Sequence, residues 1–297
     1  MKSSLEYYFF IGLSLAPVVA CWPAIAATLA LALQRDAYTH ILLVLPISIG
    51  LTVVSWSKHE WKPSSSTRSG IAVLALAALI GVAGLRLGKG GVTGDLRLAV
   101  QMLAVVTWWI GSFLCCFGVR IFRGCLFPLF FLLWLVPLPD VALNYIIHFL
   151  QEGTTSCAYA MLAAIGIPVI KDGTTLSIPG LTLRIVEECS SIRSSMMLVV
   201  SSMVMSYLLL RSYWARGIAI LAALPLAIVK NGLRVLTLAV LGAYVNPEIL
   251  DSPLHHQGGP LFLAISLLGM FALIWLMAKA EKRTYGVTML ANGIPHI

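Results

Sequence analysis

An all-α polytopic membrane protein of about eight transmembrane helices, with a small outer-face β-hairpin or meander and one interfacial helix, is the fold class this sequence predicts. Three observations predict it. Hydrophobic residues make up 59% of the 297 residues and charged residues only 11%, whereas soluble domains carry about 25% charged residues. The apolar residues fall into runs long enough to cross a bilayer, which takes about 20 residues of helix, and the mean hydropathy is +0.93. Most basic residues sit in the short links between those runs, so the formal charge of +8 reads as membrane orientation rather than as a surface for nucleic acid. Residues 1–297 are read as one integral membrane domain in contact with lipid.

The first span is expected over residues 8–33, interrupted by Pro17 and Pro23. Ala24-Ile25-Ala26-Ala27 has the small residues of a signal-peptidase site, but the run is long and more spans follow, so an uncleaved helix is expected. The polar link Gln34 to His40 leads to a second span over 41–56. A loop with Lys58, Lys62 and Arg68 precedes the third, over 70–85. After a Gly-rich link the fourth covers 98–119, closed by Arg120 and Arg123. The fifth, 125–136, stops at Pro137-Leu138-Pro139-Asp140.

Residues 137–188 are expected on the outer face. Within them, 141–167 is apolar but broken by Asn144, His148, Gln151, Glu152 and Gly153-Thr154-Thr155-Ser156. It is read as an amphipathic or re-entrant interfacial helix rather than a full span. Asp172-Gly173 signals a hairpin turn. Thr174 to Ile178 and Leu181 to Val186 then alternate around Pro179-Gly180, as strands do. The sixth, seventh and eighth spans are expected over 189–210, 217–241 and 259–278, and no internal repeat is evident.

Charge counting orients the chain. With the N-terminus in the cytoplasm and eight alternating spans, eleven Lys and Arg residues lie inside and six outside, in accord with the positive-inside rule. If 141–167 crossed as a span of its own, Arg211, Arg216 and the cluster Lys279, Lys282 and Arg283 would face outward. The expected location is the cytoplasmic (inner) membrane, multi-pass, with both termini cytoplasmic.

This topology brings three polar features to one depth at the outer face. Val186-Glu187-Glu188-Cys189-Ser190-Ser191-Ile192-Arg193 opens the sixth span. Arg234 lies in the outer third of the seventh, with Lys230 and Asn231 stacked on the same face. His255 and His256 immediately precede the eighth. A cysteine in an apolar helix is usually a packing residue, but Cys189 is flanked by carboxylates, hydroxyls and a guanidinium at a membrane boundary. Ionisable groups at that depth need partners and mark function. The residue types suit acyl transfer. A thiolate attacks a carbonyl, favoured by a helix N-terminus and a nearby cation. A histidine moves the proton, and an arginine holds the developing oxyanion without titrating. Arg193, four residues after Cys189, shares its helix face and is placed to pair with Glu188 or Glu187, or to line the site. Tyr38 and His40, at an outer helix end, are candidates for substrate contact or for an interfacial belt. The scattered histidines lack metal-ligand spacing, no phosphate-binding glycine loop is present, and no cofactor is expected.

At these residues the chain resembles the exosortases and archaeosortases. Glu188-Cys189-Ser190-Ser191-Ile192-Arg193-Ser194 is similar to their Cys-Ser-Gly-x-Arg-Ser motif, Asn231-Gly232-Leu233-Arg234 to their Asn-x-x-Arg motif, and His255-His256-Gln257-Gly258-Gly259 to their His-x-x-x-Gly motif. Asp36 to His40, Val136 to Pro139 and Gly166 to Val169 also match in order, so the resemblance runs from about residue 36 to 265. It implies a membrane-embedded cysteine transpeptidase with Cys189 as nucleophile, Arg234 as oxyanion or carbonyl binder and His255 as acid/base. Glu188, Ser190, Arg193, Lys230, Asn231, His256, Tyr38 and His40 would be supporting or substrate-binding residues. The implied substrate is an exported protein with a C-terminal sorting signal: a short motif (Pro-Glu-Pro in the commonest type), a transmembrane helix and a basic tail. The implied acceptor is an exopolysaccharide or a lipid-linked molecule. Ser191 stands where the family has glycine, and Pro260 where an aromatic is common, which suits a subfamily with its own recognition motif. About 20 residues follow the eighth expected span, so the additional C-terminal periplasmic domain of some members is not expected. The rival reading is a transporter or lipid carrier whose polar path is lined by Arg234, Lys230 and Glu188.

Overall fold

Pro17 and Pro23 break the first apolar run. In this structure, a computed structural model that describes residues 2–57, 67–87, 94–185, 192–244 and 259–291, the run expected as one span over 8–33 is two helices. They are α1 (Lys2–Ala20) and α2 (Trp22–Gln34), bent by 77° at Cys21. Pro17 offers no N–H to the Leu13 carbonyl one turn back, and in hydrocarbon such an acceptor needs another donor. Trp108 supplies it: its Nε1 donates to Leu13 O at 2.9 Å, and Trp109 Nε1 donates to Ser14 O at 3.0 Å.

The chain divides into two compact units, Met1–Leu143 and Asn144–Ile297. After α2 the first contains a 3-10 turn (Asp36–Tyr38), α3 (Ile41–Ser57), α4 (Thr67–Leu87), α5 (Gly94–Gly124), α6 (Leu126–Phe131) and a second 3-10 turn (Leu132–Leu135). It ends in the first turn of α7 (Asp140–Ala164). The α4–α5 pair is packed through small residues, as membrane helices are when no aqueous driving force is available. A Cβ on Gly70 would lie 2.5 Å from the Cys115 Cα, and one on Gly111 would lie 3.1 Å from the Leu74 nitrogen. Tyr7, Phe10, Trp56, Phe113 and Phe117 fill the adjoining space, with ring centroids from 4.9 to 6.4 Å apart. Gly70→Ala is expected to push α4 off the Cys115 backbone at a cost of about 1–3 kcal/mol, read as a lower unfolding temperature in detergent. Gly12→Ala, whose Cβ meets nothing within 4 Å, is the control.

Six described helices are long and apolar enough to cross a membrane, and the number reaches eight if each of two bent pairs counts as one span. The second bent pair corrects the expectation for 125–136. That run forms only Leu126–Leu135, about 15 Å of helix at 1.5 Å per residue, half of what a bilayer core requires. It qualifies only together with α7, across the Val136 to Pro139 break. The expected interfacial segment 141–167 is one continuous helix over most of its length, as Asp140–Ala164.

In the second unit α7 leads to a three-stranded antiparallel meander, β1 (Ile170–Asp172), β2 (Thr175–Ile178) and β3 (Leu181–Arg184), in the order β1-β2-β3. Asp172 pairs with Thr175 and Ile178 with Leu181, so both connections are two-residue turns. Each uses a glycine at positive φ, Gly173 at 55° and Gly180 at 82°, a conformation that L side chains resist. Alternation in β2 turns Leu176 and Ile178 inward, where they join Ile185 against Ala158 and Leu162 of α7 and Val235 and Ala239 of α9 (Tyr213–Tyr244).

The lower part of α9 packs with α8 (Ile192–Leu209) and α10 (Gly259–Ala291). Ala219, Ala223 and Ala227 are fully buried against Leu198, Met270 and Ile274, a small-residue row that allows close helix approach. A row of every fourth residue winds slowly around the helix, so its continuation through Asn231 to Val235 and Ala239 faces α7 and the sheet instead. At the α8–α9 turn, Glu281 of α10 accepts the backbone N–H groups of Arg211 at 2.9 Å and Ser212 at 3.1 Å. Arg216 Nε and Nη2 donate to Leu210 O at 3.0 and 2.8 Å. Glu281→Ala is expected to lower stability by about 1–2 kcal/mol. Glu281→Gln, which keeps one acceptor, should fall between it and wild type in thermal unfolding.

Candidate active site

Midway along α9 an otherwise apolar helix turns polar and stays buried. Lys230, Asn231 and Arg234 expose 5%, 0% and 6% of their surfaces. The spacing i, i+1, i+4 keeps the three on one side of the helix. Burying two cations one turn apart costs several kcal/mol unless polar partners meet them. Partners come from the first turns of α8: Lys230 Nζ donates to Ser194 Oγ, and Asn231 Nδ2 donates to Ser195 Oγ at 3.5 Å. Ser194 and Ser195 are themselves buried.

On another side of α9, a Cβ on Gly232 would lie 2.9 Å from Cys157 Sγ of α7. This near-contact lets α9 lie against α7 while its polar side meets α8. Further along α9, Val235 and Ala239 share a core with Ile185, whose N–H donates to Thr174 O at 2.9 Å. One stretch of α9 therefore holds the chain just before residue 186 and just after residue 191.

Cys189, Glu188, Ser190, His255 and His256 lie outside the described residues. Arg193 is exposed at the start of α8. Tyr38 and His40 belong to the first unit, where both are buried. The Tyr38 hydroxyl donates to Leu138 O at 2.8 Å. His40 Nδ1 is 3.1 Å from Ala37 O, and its ring meets the Trp134 ring edge-on at 5.7 Å. Arg35 pairs with Asp140 at 3.2 Å. These contacts tie the turn before α3 to the proline-rich stop at 136–139, giving both side chains structural work. Ser194 and Ser195 were not anticipated as partners of α9. The signal for them is two adjacent hydroxyls at the head of an apolar helix, level with polar residues of its neighbour.

Among the described residues no group of His, Cys, Asp and Glu is placed to hold a metal ion. The described cysteines Cys21, Cys115, Cys116, Cys125 and Cys157 are all free thiols. Two cations with hydroxyl and amide groups in a water-poor setting favour an anion, because charge interactions strengthen as the local dielectric falls. A thiolate or a tetrahedral oxyanion is such an anion. No curated protein and no solved structure matches this chain. A family profile described as Transmembrane exosortase (Exosortase_EpsH) matches residues 32–272, a stretch that holds α3 to α9 with the meander and the first part of α10. The chain belongs to the transmembrane exosortase family.

Proposed function

We infer that this protein is a cysteine transpeptidase that cleaves C-terminal sorting signals of exported proteins at the outer face of the cytoplasmic membrane and passes them to an acceptor. Cys189 is the nucleophile, Arg234 the oxyanion binder and His255 the acid/base. The observation that supports this most is the buried Lys230, Asn231 and Arg234 side of α9, held against Ser194 and Ser195. Three peptide units join Cys189 to Ile192, so their Cα atoms lie within about 11 Å of each other. The positive-inside rule assigns Arg211, Arg216 and Lys279 at the other end of the bundle to the cytoplasm.

The chemistry runs in two halves. The Cys189 thiol gives its proton to His255, and its sulfur bonds to the scissile carbonyl carbon while the carbonyl electron pair moves onto oxygen. Arg234 donates to that oxyanion. Collapse breaks the C–N bond, and the imidazolium returns its proton to the departing amine, leaving a thioester. An acceptor amine, hydroxyl or water then attacks the thioester, yields its proton to His255, and releases the Cys189 sulfur. Supporting roles fall to Glu188, Ser190, Arg193 and His256.

The test is co-expression with an exported protein that ends in a short motif, an apolar helix and a basic tail. An impermeant maleimide added from outside should label Cys189 and stop cleavage. A transporter lined by Lys230 and Arg234 would be indifferent to that label and would keep its activity in Cys189→Ser.

A further inference from the structure

A lysine buried in a bundle core against a neutral hydroxyl is an expensive residue. An apolar side chain of similar volume at position 230 would avoid the desolvation of an ammonium group. Lys230 is 5% exposed, and among the described residues its ammonium donates to the hydroxyl of Ser194. The neighbouring rung, Asn231 to Ser195 at 3.5 Å, joins the same two helices. On the far side of residues 186–191, Ile185 is 2% exposed and packed with Val235 and Ala239 of the same α9. The described residues on either side of 186–191 therefore meet α9 about one turn apart.

We propose that α9 is a splint for the segment that carries Cys189, and that Lys230 is a positioning residue in it, setting where α8 begins through Ser194 rather than touching substrate. The proposal rests on the transpeptidase reading above and deepens it. The polar rung is directional, so it fixes the depth and rotation of the first turn of α8. The apolar contact of Ile185 with Val235 holds the other flank, but packing of this kind tolerates sliding more than a hydrogen bond does. Positioning errors of an ångström cost large rate factors in reactions that depend on aligned groups. A residue kept for alignment rather than cohesion leaves a particular signature: its apolar replacement folds well and works badly.

Three variants of the full-length protein test this: Lys230→Met, Ser194→Ala and the double variant. Lys230→Met should unfold at a temperature no lower than wild type, yet lose about tenfold or more in kcat with KM nearly unchanged. Ser194→Ala should give a similar loss, and the double variant should be no worse than either single one, since both remove the same rung. Labelling by impermeant maleimide, read at the peptide containing Cys189, should slow about fivefold in each, because the thiolate depends on its placement and on the nearby cation. Wild-type kcat and labelling rate in Lys230→Met overturn the splint, as does a loss of kcat that follows a loss of stability. Cleavage by Cys189→Ala at the wild-type rate overturns the transpeptidase reading instead. In that case a slowed label in Lys230→Met still supports the splint, and an unchanged one removes it.

Discussion

Cys189→Ala is expected to leave a sorting-signal substrate at full length while the enzyme still inserts, folds and unfolds at the wild-type temperature. The rate should fall by about 10⁴-fold or more, since the acyl bond is expected to form on the Cys189 sulfur. Cys189→Ser is expected to fail nearly as completely. A hydroxyl is far harder to ionise than a thiol, and a site that stabilises a thiolate by a cation and a helix end does not supply the stronger base a serine needs. The measurement is the ratio of cleaved to uncleaved substrate on a blot, together with the mass of the trapped acyl-enzyme. Wild type should show a thioester adduct at Cys189 that hydroxylamine removes, and both variants should lack it. The five described thiols give the internal control. Cys125, for example, is wholly buried in the first unit, so Cys125→Ala should process substrate normally. Cleavage that survives in Cys189→Ala would move the nucleophile elsewhere and leave Arg234 without its assigned partner.

Much of the fold was legible because lipid allows so few solutions. A run such as Gly94–Gly124 has nowhere to satisfy its backbone except in a helix, and Asp172-Gly173 and Pro179-Gly180 are turn signals with a conformational cause. What composition did not disclose is how broken runs mend. Pro17 announces a missing donor, but nothing near it in sequence names the replacement; Trp108 is 95 residues away. The run 125–136 counts as apolar yet is too short to cross, because prolines end it and α7 must complete it. In the site, Lys230, Asn231 and Arg234 stood out because charge in a span is costly. Their partners Ser194 and Ser195 did not, since a small hydroxyl in a helix commonly bonds to its own backbone, as Ser202 and Ser206 do here. Tyr38 and His40 show another kind of contact hidden from the sequence. Their polarity at a helix end suggested substrate contact, and burial against Leu138 and Trp134 gives them work that sequence spacing cannot reveal.

Arg234 provides the second large effect, and its replacements separate charge from shape. Arg234→Ala should lower kcat by about 10²–10³-fold, the usual consequence of losing an oxyanion donor, with KM changed far less because the oxyanion exists only in the transition state. Arg234→Lys retains the charge but not the planar fork of donors. If the guanidinium donates two aligned hydrogen bonds to the oxyanion, lysine should recover little, leaving a deficit of about 10²-fold. If instead Arg234 serves only as a second positive charge beside Lys230, lysine should restore most of the rate. The double variant Lys230→Met, Arg234→Lys would then be the more damaged, because it keeps a single cation on that side of α9. Single-turnover kinetics on the same substrate distinguish the cases, since loss of the oxyanion donor slows acylation itself, whereas a displaced substrate first appears as weakened binding. A wild-type acylation rate in Arg234→Ala would place the oxyanion away from α9, and the buried cations would then need a different anion to explain why the helix keeps them.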